Sequence, residues 1–319
     1  MNAEFPADNG TAALWRPNRQ RSGTIQAIVA MVCGVFALIS IATTVGIVLT
    51  LLFETIGFFQ EVSFWNFLTD THWKPQFEER AEYGIFVLIS ATVMTSGISL
   101  IVSVPLGLLA AICLSEYADD KTRRILKPIL EVLAGVPTVV YGYFALFFVT
   151  PLLRSFLPFV GPFNALSAGI VLGIMITPLI ASLSEDAIFA VPQSLRDGSY
   201  ALGATKRETI LAVVLPAALS GIVSSVILAV SRAIGETMIV ALAAGQSPKT
   251  INWNLDFVNP FIPIMTMTTF IVQVSLGDTP KGTLESRTIF VVGMTLFVIT
   301  LALNVFSFWF VRRFREKYE

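Results

Sequence analysis

The chain has 319 residues, of which 55% are hydrophobic and 13% are charged, and its mean hydropathy is +0.75. Because soluble domains carry about 25% charged residues, this composition indicates a membrane protein. The formal net charge of −1, from 21 basic and 22 acidic residues, lacks the basic excess of a nucleic-acid binder. One histidine and two cysteines argue against a disulfide scaffold or a His/Cys metal site.

Long apolar stretches predict the membrane-spanning segments in chain order. A spanning helix needs about 20 apolar residues, because the hydrocarbon core is about 30 Å thick. Such stretches predict six transmembrane helices, at about 25–53, 84–114, 130–153, 164–188, 216–245 and 288–311. The predicted fold class is an all-α polytopic membrane protein. Its transmembrane domain covers 25–312, between an N-terminal tail (1–24) and a C-terminal tail (313–319).

The apolar stretch 257–277 is a seventh candidate, but it contains Pro260 and Pro263. Lys and Arg accumulate in cytoplasmic loops. With six spans, most basic residues fall on one side, in the two tails and in the loops after the second and fourth spans. We therefore predict that both termini are cytoplasmic and that 257–277 is a broken or interfacial helix on the outer side.

The predicted cytoplasmic loop 189–215 carries a spaced motif. Asp197-Gly198-Ser199 is followed by Gly203 and, beyond nine further residues and two valines, by Leu215-Pro216. This pattern resembles the cytoplasmic coupling motif of ABC-transporter permeases, except that Asp-Gly-Ser replaces Glu-Ala-Ala. The resemblance implies that the loop contacts an ATP-binding subunit through Arg196, Asp197, Gly198, Ser199, Leu202, Gly203, Leu215 and Pro216.

Two glycines of this motif have opposite expected effects on a short helix. Gly198 inside the helix should weaken it by about 0.5–1 kcal/mol relative to alanine. Gly203 can end the helix by adopting a left-handed conformation.

Two further segments narrow the resemblance. The sequence Pro128–Gly142 and the sequence Arg232–Met238 are similar to the phosphate-specific ABC permeases of the C-type (PstC family), in which Met-Ile-Val follows Gly-Glu-Thr. The resemblance implies a type I ABC permease (MetI-like) fold in the bacterial inner membrane, with inorganic phosphate as substrate. It also implies three kinds of partner: an A-type permease subunit forming a heterodimer, two ATP-binding subunits and an extracytoplasmic phosphate-binding protein.

Arg232 and Glu236 are charged residues within the predicted fifth span. A charge at the bilayer centre costs about 2.5–3.5 kcal/mol on insertion scales, which favours a function. On a continuous helix the two side chains are four residues apart and share one face. We expect Arg232, whose planar fork matches phosphate oxygens, to attract substrate. Glu236 would hold the guanidinium in place or accept a proton from monohydrogen phosphate. Ser231 and Thr237 are candidate helpers, and a structural ion pair is the alternative.

Other function classes receive less support. Permeases for sulfate or molybdate are the alternatives within the same class. An ion-coupled secondary transporter would need several membrane carboxylates, whereas Glu236 is the only carboxylate that lies away from the ends of a predicted span. An intramembrane enzyme lacks suitable His and Cys chemistry. We predict a transport subunit with no catalytic residues, metal or cofactor. ATP hydrolysis would occur in partner subunits, since the chain has no G-x-x-x-x-G-K-[ST] loop.

Overall fold

The structure is a computed structural model that describes residues 19–75, 81–251, 258–277, 280 and 282–314. Within these residues it is mainly helical, with one two-stranded antiparallel sheet, β1 (Trp73–Lys74) and β2 (Glu82–Tyr83). The α-helices are α1 (Arg19–Glu61), α2 (Phe64–Thr69), α3 (Ile85–Ile112), α4 (Asp120–Ala134), α5 (Thr138–Phe144), α6 (Thr150–Phe156), α7 (Ala165–Phe189), α8 (Gln193–Ala201), α9 (Lys206–Thr209), α10 (Leu215–Ile234), α11 (Met238–Ala243), α12 (Met267–Leu276) and α13 (Leu284–Phe314).

Six helical segments of the described residues are long and apolar enough to cross a membrane, which confirms the predicted fold class. They are Gln26–Glu61, Ile85–Tyr117, Thr138–Phe156, Ala165–Phe189, Lys206–Ile234 and Leu284–Trp309. The fifth differs most from its prediction, because it already begins at Lys206 within the predicted loop and ends before residue 245. The orientation of the termini stays a prediction.

The chain divides into two units, Met1–Leu52 and Phe53–Glu319. In the first unit, the side chains of α1 from residue 26 onward are nearly all exposed and mainly apolar. An apolar helix with no buried face is typical of a lipid-facing span.

The core of the second unit is the close packing of α3 against α7. A Cβ atom added at Gly169 would lie 2.6 Å from Cγ2 of Ile98, and one added at Gly173 would lie 2.7 Å from the carbonyl oxygen of Ser99. Only glycine permits this approach of the two backbones. Fully buried residues such as Leu172 and Ile176 complete the interface.

Two π-helical turns each precede a proline in the long helices. The turn Ala145–Val149 lies two residues before Pro151, and the turn Ile210–Val214 lies two residues before Pro216. Proline lacks an N–H group and clashes with the carbonyl four residues earlier. A π turn, with its i→i−5 hydrogen bonds, accommodates this local change in the backbone ladder. The helical segments therefore continue past both prolines.

Aromatic residues organise the end of the second unit that contains the sheet. Phe58, Phe67, Trp73 and Tyr83 are buried together, and the Trp73 ring meets Phe270 of α12 edge-on at 5.0 Å. Edge-to-face aromatic pairs stabilise such clusters beyond their buried area.

The predicted helix at 257–277 is broken. Residue 257 lies outside the described residues, 259–266 contain no α-helix, and only α12 is regular. Ten residues span about 15 Å, half of a hydrocarbon core. This segment is therefore not a seventh membrane-crossing helix, while its location on the outer side stays a prediction.

Candidate functional site

The predicted fifth span is interrupted where its charged residues lie. Helix α10 ends at Ile234, Gly235 forms its C-cap, and α11 begins only at Met238. The Oε1 atom of Glu236 accepts hydrogen bonds from the backbone N–H groups of Met238, at 3.1 Å, and Ile239, at 3.3 Å. A carboxylate at the start of a helix satisfies free N–H groups and is favoured by the helix dipole. Glu236 therefore stabilises the start of α11.

A second contact satisfies the broken backbone. The hydroxyl of Thr268 donates a hydrogen bond to the carbonyl oxygen of Glu236 at 3.0 Å. Non-helical backbone at membrane depth is stable only where its polar groups are satisfied within the protein. The first turn of α12, which contains Thr268, supplies that partner.

The predicted pairing of Arg232 with Glu236 on one helix face is wrong. The helix ends between the two residues, and the carboxylate turns to the N–H groups of α11 instead. Arg232 is exposed on the surface of the chain, and its Nη2 atom lies 3.6 Å from Sδ of Met175. Among the residues that the structure describes, its guanidinium forms no ion pair with a carboxylate.

The contact with Met175 indicates the depth of the Arg232 side chain. Met175 lies about 15 Å from the first residue of α7 and about 21 Å from the last, at about 1.5 Å per residue. An arginine near the middle of a span is costly in contact with lipid. We therefore expect the exposed surface around Arg232 to face a water-filled path or another subunit.

The two candidate helpers are engaged within the chain. The hydroxyl of Ser231 lies 3.2 Å from the Ile227 carbonyl oxygen and 3.2 Å from Oδ1 of Asn304, so it connects α10 to α13. The Thr237 hydroxyl donates to the carbonyl oxygen of Gly235 at 3.3 Å. Both contacts hold the backbone near the break.

The predicted coupling loop contains the short helix α8, which ends as Gly203 predicts. Gly203 has φ +85°, its N–H donates to the Tyr200 carbonyl, and the N–H of Ala204 donates to the Ser199 carbonyl. These two bonds form a Schellman motif, in which a left-handed glycine ends the helix. The predicted conformation of Gly203 is confirmed.

The end of α8 presents an exposed surface. The Leu202 side chain is 91% exposed, and Asp197 and Gly198 are exposed on the preceding turn. An apolar side chain this accessible at a helix end is suited to a groove on another protein.

Two other motif residues, Ser199 and Leu215, attach the loop to the chain, whereas Pro216 does not. The Ser199 and Thr209 hydroxyls are hydrogen-bonded at 2.9 Å, which holds α8 against α9. Leu215 is half-buried beside Val214, and Pro216 is exposed in the first turn of α10.

Arg196 points into the chain instead of toward a partner. The residue is 8% exposed, and its Nη2 donates to Oε1 of Glu116 and to the carbonyl oxygen of Ile188, both at 2.9 Å. Its Nη1 also donates to the Val191 carbonyl. The prediction that Arg196 belongs with the partner-contacting residues therefore needs correction, because every one of these acceptors lies within the chain.

A second ionic cluster joins α4 to the C-terminal end of α7. The Glu185 side chain is 1% exposed and forms ion pairs with Arg123 and, at 2.7 Å, with Lys127, which also binds Asp186 at 2.7 Å. The Arg123 guanidinium lies 4.0 Å from the ring centroid of Phe189. Hydrogen bonds to Asp186 and Glu185 raise the pKa of the Lys127 ammonium, so this group stays charged at neutral pH.

Sequence reasoning missed the importance of Glu116 and Glu185. The Arg196–Glu116 pair joins residues 80 positions apart, and the Lys127–Glu185 pair joins residues 58 apart. The sequence offers one signal: two adjacent carboxylates, Glu185 and Asp186, directly precede the predicted cytoplasmic loop 189–215. In the part of the chain that the structure describes, no group of three or more His, Cys, Asp or Glu side chains could hold a metal ion.

Comparison with known proteins finds one matching family model and related sequences from other organisms. The family model described as "Binding-protein-dependent transport system inner membrane component" matches residues 103–318. The chain is 34% identical to the "Probable ABC transporter permease protein YqgH" of Bacillus subtilis (strain 168), covering 89% of each protein. It is 33% identical to the "Phosphate transport system permease protein PstC" of Haemophilus influenzae, covering 76% of this chain and 79% of that protein.

Solved structures show the same fold. A bacterial ABC transporter involved in the import of the acidic polysaccharide alginate superposes with a TM-score of 0.61 at 16% identity, covering 93% of this chain and 98% of that chain. An inward-facing MetNI methionine ABC transporter gives a TM-score of 0.53 at 19% identity, covering 73% and 95%. With the six membrane-length helices, these matches show that the chain belongs to the binding-protein-dependent ABC-transporter permeases of the inner membrane, among the relatives of the PstC proteins.

Proposed function

We propose that this permease subunit belongs to an ATP-driven phosphate importer and forms half of its translocation path. Membership of the permease family supports the transport role, and the PstC relatives support phosphate as the substrate. Sulfate and molybdate importers remain the alternatives to be tested.

The observation that carries the proposal is the exposed guanidinium of Arg232, which forms no ion pair with a carboxylate among the described residues. Arginine is permanently charged, and its planar fork donates two parallel hydrogen bonds to phosphate oxygens. The carboxylate of Glu236 is engaged at the start of α11, so it does not neutralise Arg232 through an ion pair. A permanent cation near the middle of a span, exposed toward a path, is suited to an oxyanion in transit.

The exposed surfaces of the chain support the three kinds of partner that we propose. Since Arg232 is unfavourable against lipid, the second half of the path would come from an A-type permease subunit in a heterodimer. The exposed Leu202 and Asp197 of α8 would contact one of two ATP-binding subunits on the cytoplasmic side. An extracytoplasmic binding protein would deliver phosphate at the opposite side.

Uptake of labelled phosphate in cells that depend on this chain tests the proposal. Both Arg232→Gln and Arg232→Lys should lower uptake, by about 10- to 100-fold, because hydrogen bonds to charged groups contribute about 1.5–3 kcal/mol. Arg154→Gln, at an exposed arginine of α6, is the matched control and should retain uptake. Near-normal uptake with both Arg232 variants would contradict the assigned role.

The substrate and the topology need separate measurements. Loss of sulfate uptake with intact phosphate uptake, in cells lacking the chain, would refute the choice of oxyanion. A reporter fused at Glu319 should be active only as a cytoplasmic fusion. Activity only outside the cytoplasm would refute the predicted location of the termini.

A further inference from the structure

The coupling helix α8 is attached to two membrane-spanning helices by a single buried side chain. Arg196 donates hydrogen bonds to the carbonyl oxygens of Ile188, in the last turn of α7, and Val191, just beyond it. Its Nε and Nη2 atoms also bind Oε1 of Glu116, at 3.3 and 2.9 Å. Glu116 lies in the π turn that extends α3. One guanidinium thus connects α8 to the ends of both α3 and α7.

We propose that Arg196 is a positioning residue for energy coupling, which makes α8 and the ends of α3 and α7 move as one body. The inference rests on the proposed function, in which ATP-binding subunits displace α8. Helices α3 and α7 pack closely through Gly169 and Gly173, so they transmit a displacement instead of absorbing it. A displacement of α8 therefore reaches the second and fourth spans together.

The chemistry of the side chain explains why arginine suits this role. The guanidinium is planar and rigid, and it donates to three acceptors at fixed angles, whereas a lysine ammonium on a flexible stem acts as a point charge. The side chains of Arg196 and Glu116 are 10% and 7% exposed. Burial limits screening by salt and by competing water. The connection is thus both directional and shielded.

The remaining side-chain hydrogen bond between α8 and another element, Ser199–Thr209, leads to α9 and the fifth span. The chain also joins α8 to α7 through three residues, and Leu195 packs against an apolar cluster that includes Ala111 and Ile188. Apolar packing is not directional. Without Arg196, a displaced α8 would therefore keep its hydrogen bond to the fifth span but lose its directional link to the second and fourth. Weakening the hydrogen bonds of Arg196 should therefore uncouple transport from ATP hydrolysis rather than abolish ATP hydrolysis.

The first test uses the complete transporter reconstituted in proteoliposomes and measures phosphate imported per ATP hydrolysed. Arg196→Lys and Glu116→Gln should lower this ratio about tenfold, a magnitude within the usual range of coupling between sites. Hydrolysis should continue with the ATP-binding subunits still attached. Ser194→Ala, on an exposed position of α8, should leave the ratio unchanged. Glu116→Gln keeps the size and one acceptor oxygen, so it remains informative if Arg196→Lys assembles poorly.

The second test measures the motion itself and does not depend on the substrate. Spin labels are placed on the native, exposed Cys113 at the end of α3 and on Ser194→Cys in α8, with Cys33→Ser as background. ATP should leave the label distance unchanged with Arg196 present. With Arg196→Lys, ATP should shift or broaden the distance distribution.

The outcomes separate this inference from the proposed function. Unchanged phosphate-to-ATP ratios in both variants, or an ATP-independent label distance in Arg196→Lys, would overturn the positioning role. A wild-type transporter that imports no phosphate would overturn the proposed substrate alone, and the label distances would still decide the role of Arg196.

Discussion

Two regions of this permease treat their charged side chains in opposite ways. Near α8, Glu185 and Arg196 are buried and bound to partners within the chain. In the last turn of α10, beside Met175 of α7, Arg232 is exposed and forms no ion pair with a described residue. Both regions contain charged side chains, so the presence of a charge alone does not distinguish their roles.

The difference shows that the role of a charged side chain depends on whether it has an ionic partner within the chain. A buried charge with a full set of partners is costly to break and holds elements in one arrangement. A charge near mid-membrane without a carboxylate partner retains its hydrogen-bonding capacity for a ligand or another subunit. We therefore expect substitutions in the first region to change stability and coupling, and substitutions of Arg232 to change transport.

The largest expected effect on stability is at Glu185. Glu185→Ala should lower the free energy of unfolding by about 3 kcal/mol, because it leaves Arg123 and Lys127 without their buried counter-ion. Denaturant unfolding of the purified chain in micelles measures this change. The matched control is Asp186→Ala, whose side chain is 57% exposed and whose loss should cost less than about 1 kcal/mol. Equal effects of the two variants would mean that Glu185 is not the centre of the cluster.

A smaller effect is expected at the end of the coupling helix. Gly203→Ala should destabilise the local fold by about 1–2 kcal/mol, because an L-residue is strained in the left-handed region. A Cβ atom at this position meets no other atom within 4 Å, so backbone strain is the cause. Binding of the purified ATP-binding subunits should weaken. Unaltered binding would show that the Schellman motif does not shape the coupling surface.

Substitution of Gly198 is expected to change stability in the opposite direction to substitution of Gly203. Gly198→Ala should stabilise α8 by about 0.5–1 kcal/mol, since alanine loses less backbone entropy in a helix. The added Cβ has open space around it within this chain. Tighter binding of the ATP-binding subunits measures the gain. Weaker binding would instead indicate that the partner itself needs a glycine there, which would give the departure from Glu-Ala-Ala a function.

The smallest effect on stability should come from the charge at mid-membrane. Arg232→Met should change the free energy of unfolding of the isolated chain by less than about 0.5 kcal/mol, as for other exposed substitutions. The same unfolding measurement applies, with Glu185→Ala as the reference. A loss as large as that of Glu185→Ala would make Arg232 a structural residue and remove the contrast between the two regions.

The sequence by itself determined the elements whose physics is local. A long apolar stretch must form a helix in lipid, because each helix satisfies its own backbone hydrogen bonds, and six such helices are present among the described residues. Gly203 was also predictable, since a left-handed helix end needs glycine regardless of what surrounds it. The short helix that this glycine ends is present as α8, whereas its contact with an ATP-binding subunit stays a proposal.

Only the tertiary structure decided how the charged side chains are used. The break after Ile234 depends on Glu236 capping α11 and on Thr268, which reaches the Glu236 carbonyl from 32 positions away. The inward direction of Arg196 depends on Glu116, 80 positions earlier. Helix periodicity extends over a few residues, whereas a charge takes its role from whichever partners the folded chain brings within hydrogen-bonding distance.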